Sequence, residues 1–450
     1  MVAKINRLIY HLAPVILFAR ILFFPTLSMA RGNDLVLISD AETQNYLAAI
    51  VKPLFQAAGI HFDKNKLLIV NDNSLNAFVS DGNYMFVHTG TLLKAENTNE
   101  IAGILAHETG HIMGGHIVRQ KLKLEKMQYV MLGSVLAAGA AAVTTGRGDA
   151  AMAVILGSQS SAISHLLHHQ VQEERSADES AVKLLAKTQQ STQGLLNFMQ
   201  KIKKTTALSG IAESDYFNTH PLTAERISHF RQASASNHFP TTNKLDASLA
   251  LIQAKLSGFL EPPSQVLRRY PQHNKSLAAT YAHSILAFRQ GQIDKALRLI
   301  DELIKEQPQN PYFYEQQGQF LFESGKVRQS ISAYQKALQL LPDTPAIQLS
   351  LAHSIIESSP ATAEIHQAVT LLKSSLLRQP NALGWQLLAQ AYGMQNKTAD
   401  SYYATAEFNY LIGNLEVAKN HLEQAKKQTK DQSLLLKISD LDMRLKEELK

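Results

Sequence analysis

The stretch NTNEIAGILAHETGHIMGGHI, residues 97–117, decides how the rest of the chain is read. Ile101, Ile104, Leu105 and Ile112 recur at helical spacing. Asn97 stands at the start as an N-cap with Glu100 three residues on, so the spacing predicts a helix over Asn97–Ile117 with an apolar back. His107 and His111 are four residues apart, leave such a helix from one face and can share a metal ion. Imidazole nitrogen suits Zn²⁺. Glu108 lies beside the pair, where it can take a proton from a water at the metal and deliver it to a leaving amine. The competing reading is a pair of satisfied surface histidines, so a third ligand has to be found.

Some zinc motifs place a third histidine six residues after the second, with a glycine between. Here Gly114 holds the glycine position, but Ile117 stands where that histidine is needed and His116 is one residue early. The candidate is Glu174, in Glu174-Arg175-Ser176-Ala177-Asp178 on a helix expected over Val171–Lys187. Asp178, one turn on, can accept the other ring N–H of a ligand histidine and fix its tautomer. Glu173 is a rival ligand on a different face, and a solvated helix face is the plain alternative. His165, His168 and His169 lack an acid between them and read as a polar surface; His116 reads as structural. His220 precedes Pro221, which favours an extended backbone before a helix. Arg226, six residues on, can face the same site. The two can stabilise an oxyanion; His220 can instead take the fourth metal position and hold the site latent; or they are a helix-start histidine and a salt-bridged arginine.

A chain of 450 residues is too long for one core and implies two or three domains. Residues 1–30 read as a secretory signal: Lys4 and Arg7, an apolar run from Leu8 to Leu27, then Ser28-Met29-Ala30 as a small-x-small cleavage site. An uncleaved anchor is the alternative. This segment holds three basic and no acidic residues, which leaves 41 basic against 38 acidic, a net of +3 too weak to argue for nucleic acid. There is no cysteine, which excludes a disulfide scaffold and a cysteine nucleophile. A helix is expected over residues 40–60, a strand at Leu67–Val70, and a hairpin from Asn76–Val79 and Tyr84–His88 around Asp81-Gly82-Asn83. Met127–Val143 and Ala150–Leu156 are apolar runs shorter than a membrane span, and form either a buried helical hairpin or a lid touching membrane.

From about residue 271 helix follows helix. Pro308 and Pro342 are 34 residues apart, and Gly318, Leu321, Gly325, Ser330, Tyr334 and Ala337 fall at tetratricopeptide-repeat positions. Ala296, Ile300 and Leu303 continue the frame backwards; Ala368 and Leu372, then Gly413, Ala418, Leu422 and Ala425, continue it forwards. Trp385, Leu388, Ala389 and Tyr392 look like an isolated first helix. Such repeats cannot bury their apolar faces alone and must stack into a solenoid. The expected fold is mainly α: an α+β zinc peptidase domain with a small sheet over residues 31–262, then an all-α repeat domain over 263–450.

The set H-E-x-x-H-x-x-x-x-H, E-x-x-A-D and T-H-P-x-x-x-x-R-I resembles the M48 metallopeptidases. That resemblance implies that His107, His111 and Glu174 bind one zinc ion, that Glu108 is the catalytic base, that Asp178 is the supporting acid, and that His220 and Arg226 sit near the metal. Asn76-Ala77-Phe78 resembles the family's substrate-binding edge, where a peptide adds as a strand. Gln170-Val171 stand where the family often has Ser-Arg. With the signal segment and the repeats, the resemblance implies a soluble periplasmic endopeptidase that clips misassembled outer-membrane proteins. Its repeats would recruit the assembly machinery, with peripheral membrane contact. A chaperone-like scaffold with a latent zinc site is the alternative.

Overall fold

The computed structural model describes residues 35–120, 122, 170–209, 220–237 and 239–449. The signal segment, the apolar runs 127–143 and 150–156, and His165, His168 and His169 lie outside the described residues. Two compact units divide the chain: Asn45–Leu249, and Ala250–Lys450 with the segment up to Gln44. The line expected at 262/263 falls between helix α7 (Asp246–Leu260) and the helix Pro263–Arg269.

In the first unit, α1 (Ala41–Ala58) buries Tyr46, Leu47, Ile50, Val51, Leu54 and Phe55, the apolar positions of its 3.6-residue period. Strand β1 (Leu37–Ile38) belongs to the other unit; here β2 (Leu67–Val70), β3 (Ala77–Ser80) and β4 (Tyr84–His88) form a sheet in the order β2-β4-β3. β2 runs parallel to β4, with Leu67 opposite Met85 and Val70 opposite His88. β3 and β4 form the expected hairpin, Ala77 opposite Val87 and Ser80 opposite Tyr84. Its reversal carries Gly82 and Asn83 to φ of 79° and 64°, the region glycine and asparagine tolerate best. β3 is an edge of this sheet.

After α2 (Thr89–Lys94), α3 (Thr98–Met113) is the helix of the quoted stretch. The Asn97 side chain accepts a hydrogen bond from the Glu100 backbone N–H at 3.2 Å, as the capping pattern required. The Glu100 carboxylate lies 2.8 Å from Lys201 of α5 (Gln193–Ser209). Residues 98 to 111 are all buried, so the helix is enclosed on every side rather than on one stripe. It stops at Met113, short of Ile117, because Gly115 takes φ of 62° and turns the chain. Ile112 is in consequence half-buried and not part of the apolar back. A fourth helix, α4, spans residues 170–187, and α6 spans Ala224–Ala235.

The second unit is a tetratricopeptide-like stack of helix pairs: Leu277–Arg289 with Ile293–Glu306, Pro311–Glu323 with Val327–Leu340, and Pro345–Glu357 with Thr362–Arg378. Ala296, Ala337, Ala368 and Ala418 are fully buried at matching positions. Gly318 lets its helix close on its partner: a Cβ there would meet the Tyr334 ring at 2.8 Å. The helix Ala382–Met394, carrying Trp385 and Tyr392, is not isolated. Thr398–Leu411 packs on it and also on Leu415–Gln428. Its Ala404 joins the core of the preceding pairs, while Tyr403 and Ala406 join the core of the last two helices. One helix thus serves as second member of one pair and first member of the next.

This unit also buries a charged cluster. The Lys255 ammonium contacts the Asp40 carboxylate and lies 3.4 Å from Glu42. The Tyr281 hydroxyl donates to Glu42 at 3.3 Å. Burial pushes the Glu42 carboxyl up to about 7, against the pull of Lys255, and pushes Glu315 up to about 7 in the same field.

Candidate metal centre

Three segments of the first unit meet at one point. α3 supplies His107, Glu108 and His111; α4 supplies Glu174 and Asp178; the segment before α6 supplies His220, and α6 supplies Arg226. The meeting of α3 and α4 depends on small residues. A Cβ on Gly110 would lie 2.7 Å from the Ala177 carbonyl oxygen and 3.0 Å from its Cα. Ala177, fully buried, is the small residue between Glu174 and Asp178. The glycine of the H-E-x-x-H stretch and the alanine of E-x-x-A-D are therefore one contact, and it brings Glu174 up to the two histidines. On α6, the Thr223 hydroxyl caps the helix by accepting from the Arg226 N–H, so the chain enters the helix just after His220-Pro221.

His107, His111, Glu174 and His220 each turn one ligand atom to the same point, all within 4.8 Å of one another, and all four are buried. His107 Nε2 lies 3.0 Å from His111 Nε2 and 3.4 Å from His220 Nδ1. Glu174 Oε1 lies 2.9 Å from His220 Nδ1 and 3.3 Å from His111 Nε2; Glu174 Oε2 lies 3.4 Å from His107 Nε2. Roughly 2.0–2.1 Å separates zinc from imidazole nitrogen or carboxylate oxygen, and a tetrahedron of such arms has edges of about 3.3 Å. The observed separations fit a small divalent cation at the centre. Ring nitrogens facing each other this closely repel unless a proton or a cation lies between them.

The remaining groups support those four. His107 Nδ1 lies 2.9 Å from Asp178 Oδ1, which fixes Nε2 as the outward atom. Arg226 grips Asp178 with two nitrogens, Nε at 2.7 Å and Nη2 at 2.9 Å, and reaches Glu174 Oε2 with Nη1 at 2.8 Å. Of the expectations for Arg226, the geometry gives the salt-bridged arginine. Its guanidinium is engaged with carboxylates behind the donor atoms. Burial raises the carboxyls of Glu174 and Asp178, but the imidazoles outweigh it at both, and Arg226 adds to this at Asp178; both stay well below the usual carboxylate range. Burial works against charge on His107, and Asp178 and Glu174 outweigh it, lifting that imidazole to about 9. Burial depresses His111 and His220.

Glu108 differs from the other acids. It is fully buried, and among the described residues neither carboxylate oxygen has a hydrogen-bond partner. Its nearest cationic candidate, His220 Nε2, is 3.5 Å from Oε1. Burial pushes its carboxyl up to about 7. A buried carboxyl left without a partner is costly and marks a place where a polar ligand belongs. Glu173 turns instead toward Arg119, 3.7 Å away, so the rival ligand is outside the cluster.

His116, read from the sequence as structural, packs directly against the cluster. It is buried, and its Nδ1 lies 2.9 Å from Nδ1 of His111. Burial first, and then His111, hold its imidazole down at about 4. The signal was the pair Gly114-Gly115 just before it.

Residues 41–234 match the family model of peptidase family M48. Over a longer span it is similar to the Beta-barrel assembly-enhancing protease of Yersinia pestis, 26% identical over 377 residues, which covers 81% of this chain and 75% of that one. The protein of the same name from Escherichia coli (strain K12) is 23% identical over 410 residues, covering 88% and 82%. Metalloprotease YcaL of the same organism is 29% identical over 164 residues, covering 36% of this chain and 60% of that one.

Proposed function

We propose that this protein is a zinc-dependent endopeptidase of the periplasm that hydrolyses misassembled outer-membrane proteins, with its helical repeats engaging the assembly machinery. The observation that carries the reading is the buried Glu108 carboxylate, without a hydrogen-bond partner among the described residues, beside four converging ligand atoms. In this reading His107, His111 and Glu174 hold one zinc ion. When bound, zinc supplies Lewis-acid activation of water and of the scissile carbonyl. Glu108 takes a proton from the attacking water and hands it to the leaving amine. Asp178 fixes the tautomer of His107, and Arg226 holds Asp178 and Glu174 in place. A substrate peptide adds as a strand to the edge formed by β3.

The relatives' name, Beta-barrel assembly-enhancing protease, supports the substrate class. The secretory pattern in residues 1–30 supports the periplasm as the location and cleavage after Ala30. The repeats over 263–450 support a recruiting role separate from the peptidase domain over 31–262.

One observation favours a second state of the same protein. His220 Nδ1 stands among the donors, where it completes a four-protein-ligand set. Closed sets of this kind are structural, whereas catalytic zinc keeps a position open. Were His220 to serve as a fourth ligand, this arrangement would be latent until His220 withdrew to admit substrate, and the repeats would act as a chaperone-like scaffold meanwhile. Cleavage of casein and of an unfolded barrel protein by wild type, Glu108→Gln and His220→Arg tests both. Activity in wild type or in His220→Arg that Glu108→Gln abolishes supports the peptidase. If wild type and His220→Arg are both inert with zinc bound, the scaffold reading replaces it.

A further inference from the structure

We infer that His116 is a positioning residue for the metal ligand His111, holding its ring through Nδ1 as Asp178 holds that of His107; this rests on the metal reading above. His111 presents Nε2 to the donor set, so its Nδ1 carries the proton when a cation is bound. That N–H points along the 2.9 Å line to His116 Nδ1, which must offer its lone pair. The two ligand histidines are thus braced differently, one by a carboxylate and one by a neutral imidazole.

The backbone is shaped for this contact. Gly114 has φ of −70°, a conformation open to any residue, so its lack of a side chain is not a matter of backbone freedom. A Cβ there would lie 2.2 Å from His116 Nε2. The glycine makes room for the ring. Gly115, at φ of 62°, supplies the turn that swings His116 back toward His111. Arg119 closes the turn by donating to the Gly114 carbonyl, and ties it to the ligand-bearing α4 through Glu173 at 3.7 Å.

The test is zinc affinity of the full chain, measured by competition with a chromophoric chelator, for wild type, His116→Leu, His116→Asn and Gly114→Ala. Leucine removes the acceptor at similar size, and zinc affinity is expected to fall about 10- to 100-fold, the usual effect of losing an outer-shell partner. Asparagine can place its Oδ1 where Nδ1 stood, and is expected to restore affinity to within about threefold of wild type. Gly114→Ala displaces an intact His116 ring and is expected to weaken zinc about 10-fold, which keeps the inference testable should His116→Leu fail to fold. Wild-type affinity in His116→Leu or in Gly114→Ala, or loss in His116→Asn as deep as in His116→Leu, overturns the inference while leaving the metal site standing. A wild-type chain that takes up no zinc instead removes the metal reading, and this inference with it.

Discussion

Gly110→Ala is expected to damage the metal centre without unfolding the protein. The added Cβ would sit 2.7 Å from the Ala177 carbonyl oxygen, where ordinary contact begins at 3.4 Å, a shortfall of about 0.7 Å. Both partners are main-chain or Cβ atoms, so no flexible side chain can yield, and α3 and α4 must separate. In a helix interior alanine is favoured over glycine by about 1 kcal/mol, while overpacking costs about 1–3 kcal/mol. The net change in stability is therefore small. The donor set is less forgiving, because coordination distances tolerate only about 0.2 Å. Moving Glu174 away from His107 and His111 by several times that amount should weaken zinc about 10- to 100-fold. Chelator competition reads the affinity, and thermal melting of the metal-free chain reads the fold. Gly103→Ala is the control: its Cβ would strike Leu195 of α5 at 2.7 Å, in a contact that carries no ligand. The reasoning is refuted if Gly110→Ala binds zinc like wild type, or if Gly103→Ala loses as much.

Three further outcomes follow from the same geometry. Arg226→Ala removes the guanidinium shared by the buried Asp178 and Glu174, leaving only the His107 imidazole to offset them, and should destabilise the metal-free protein by about 3 kcal/mol, with zinc recovering much of it; urea melts with and without metal check both parts. Zinc affinity should fall as the pH is lowered from 9 toward 6, because the His107 imidazole, at about 9 without metal, holds a proton that the cation must displace; titrations at stepped pH show it, and a flat profile speaks against His107 as a ligand. In the repeat unit, Glu42 has a carboxyl at about 7 against an ordinary value of 4.5, so between those values the folded chain keeps a proton that the unfolded chain has lost. Its burial therefore makes the fold less stable as pH rises through that window, with the full cost above 7. Glu42→Gln should gain stability relative to wild type between pH 5 and 8, and hydrogen exchange in Leu277–Arg289 would reveal a constant difference if the reasoning is wrong.

Local spacing made much of this site legible. His107 with His111, and Glu174 with Asp178, are one turn apart on their helices, and period alone puts each pair on one face. The Asn97 cap and the hairpin reversal at Gly82-Asn83 were written in residue types with known backbone preferences. What sequence could not show depended on how segments meet. Arg226 stood in the right motif, but only packing decided that its guanidinium turns to Asp178 and Glu174 rather than to an oxyanion. His116 looked structural because a straight helix through Ile117 would have pointed it elsewhere; one positive φ at Gly115 brings it to His111. In the repeats, Trp385 and Tyr392 marked a first helix without an evident partner. Thr398–Leu411 escaped notice as that partner because it packs on two neighbours and so lacks a one-sided pattern.

The central claim is that His107, His111 and Glu174 hold a zinc ion on which Glu108 acts. Its most direct measurement is zinc content per chain, by elemental analysis after dialysis, in wild type, Glu108→Gln and a His107→Ala, His111→Ala double variant. The account predicts one zinc per chain in wild type and in Glu108→Gln, because Glu108 is not a ligand, and none in the double variant. Zinc retained by the double variant, or absent from folded wild type supplied with it, would contradict the account.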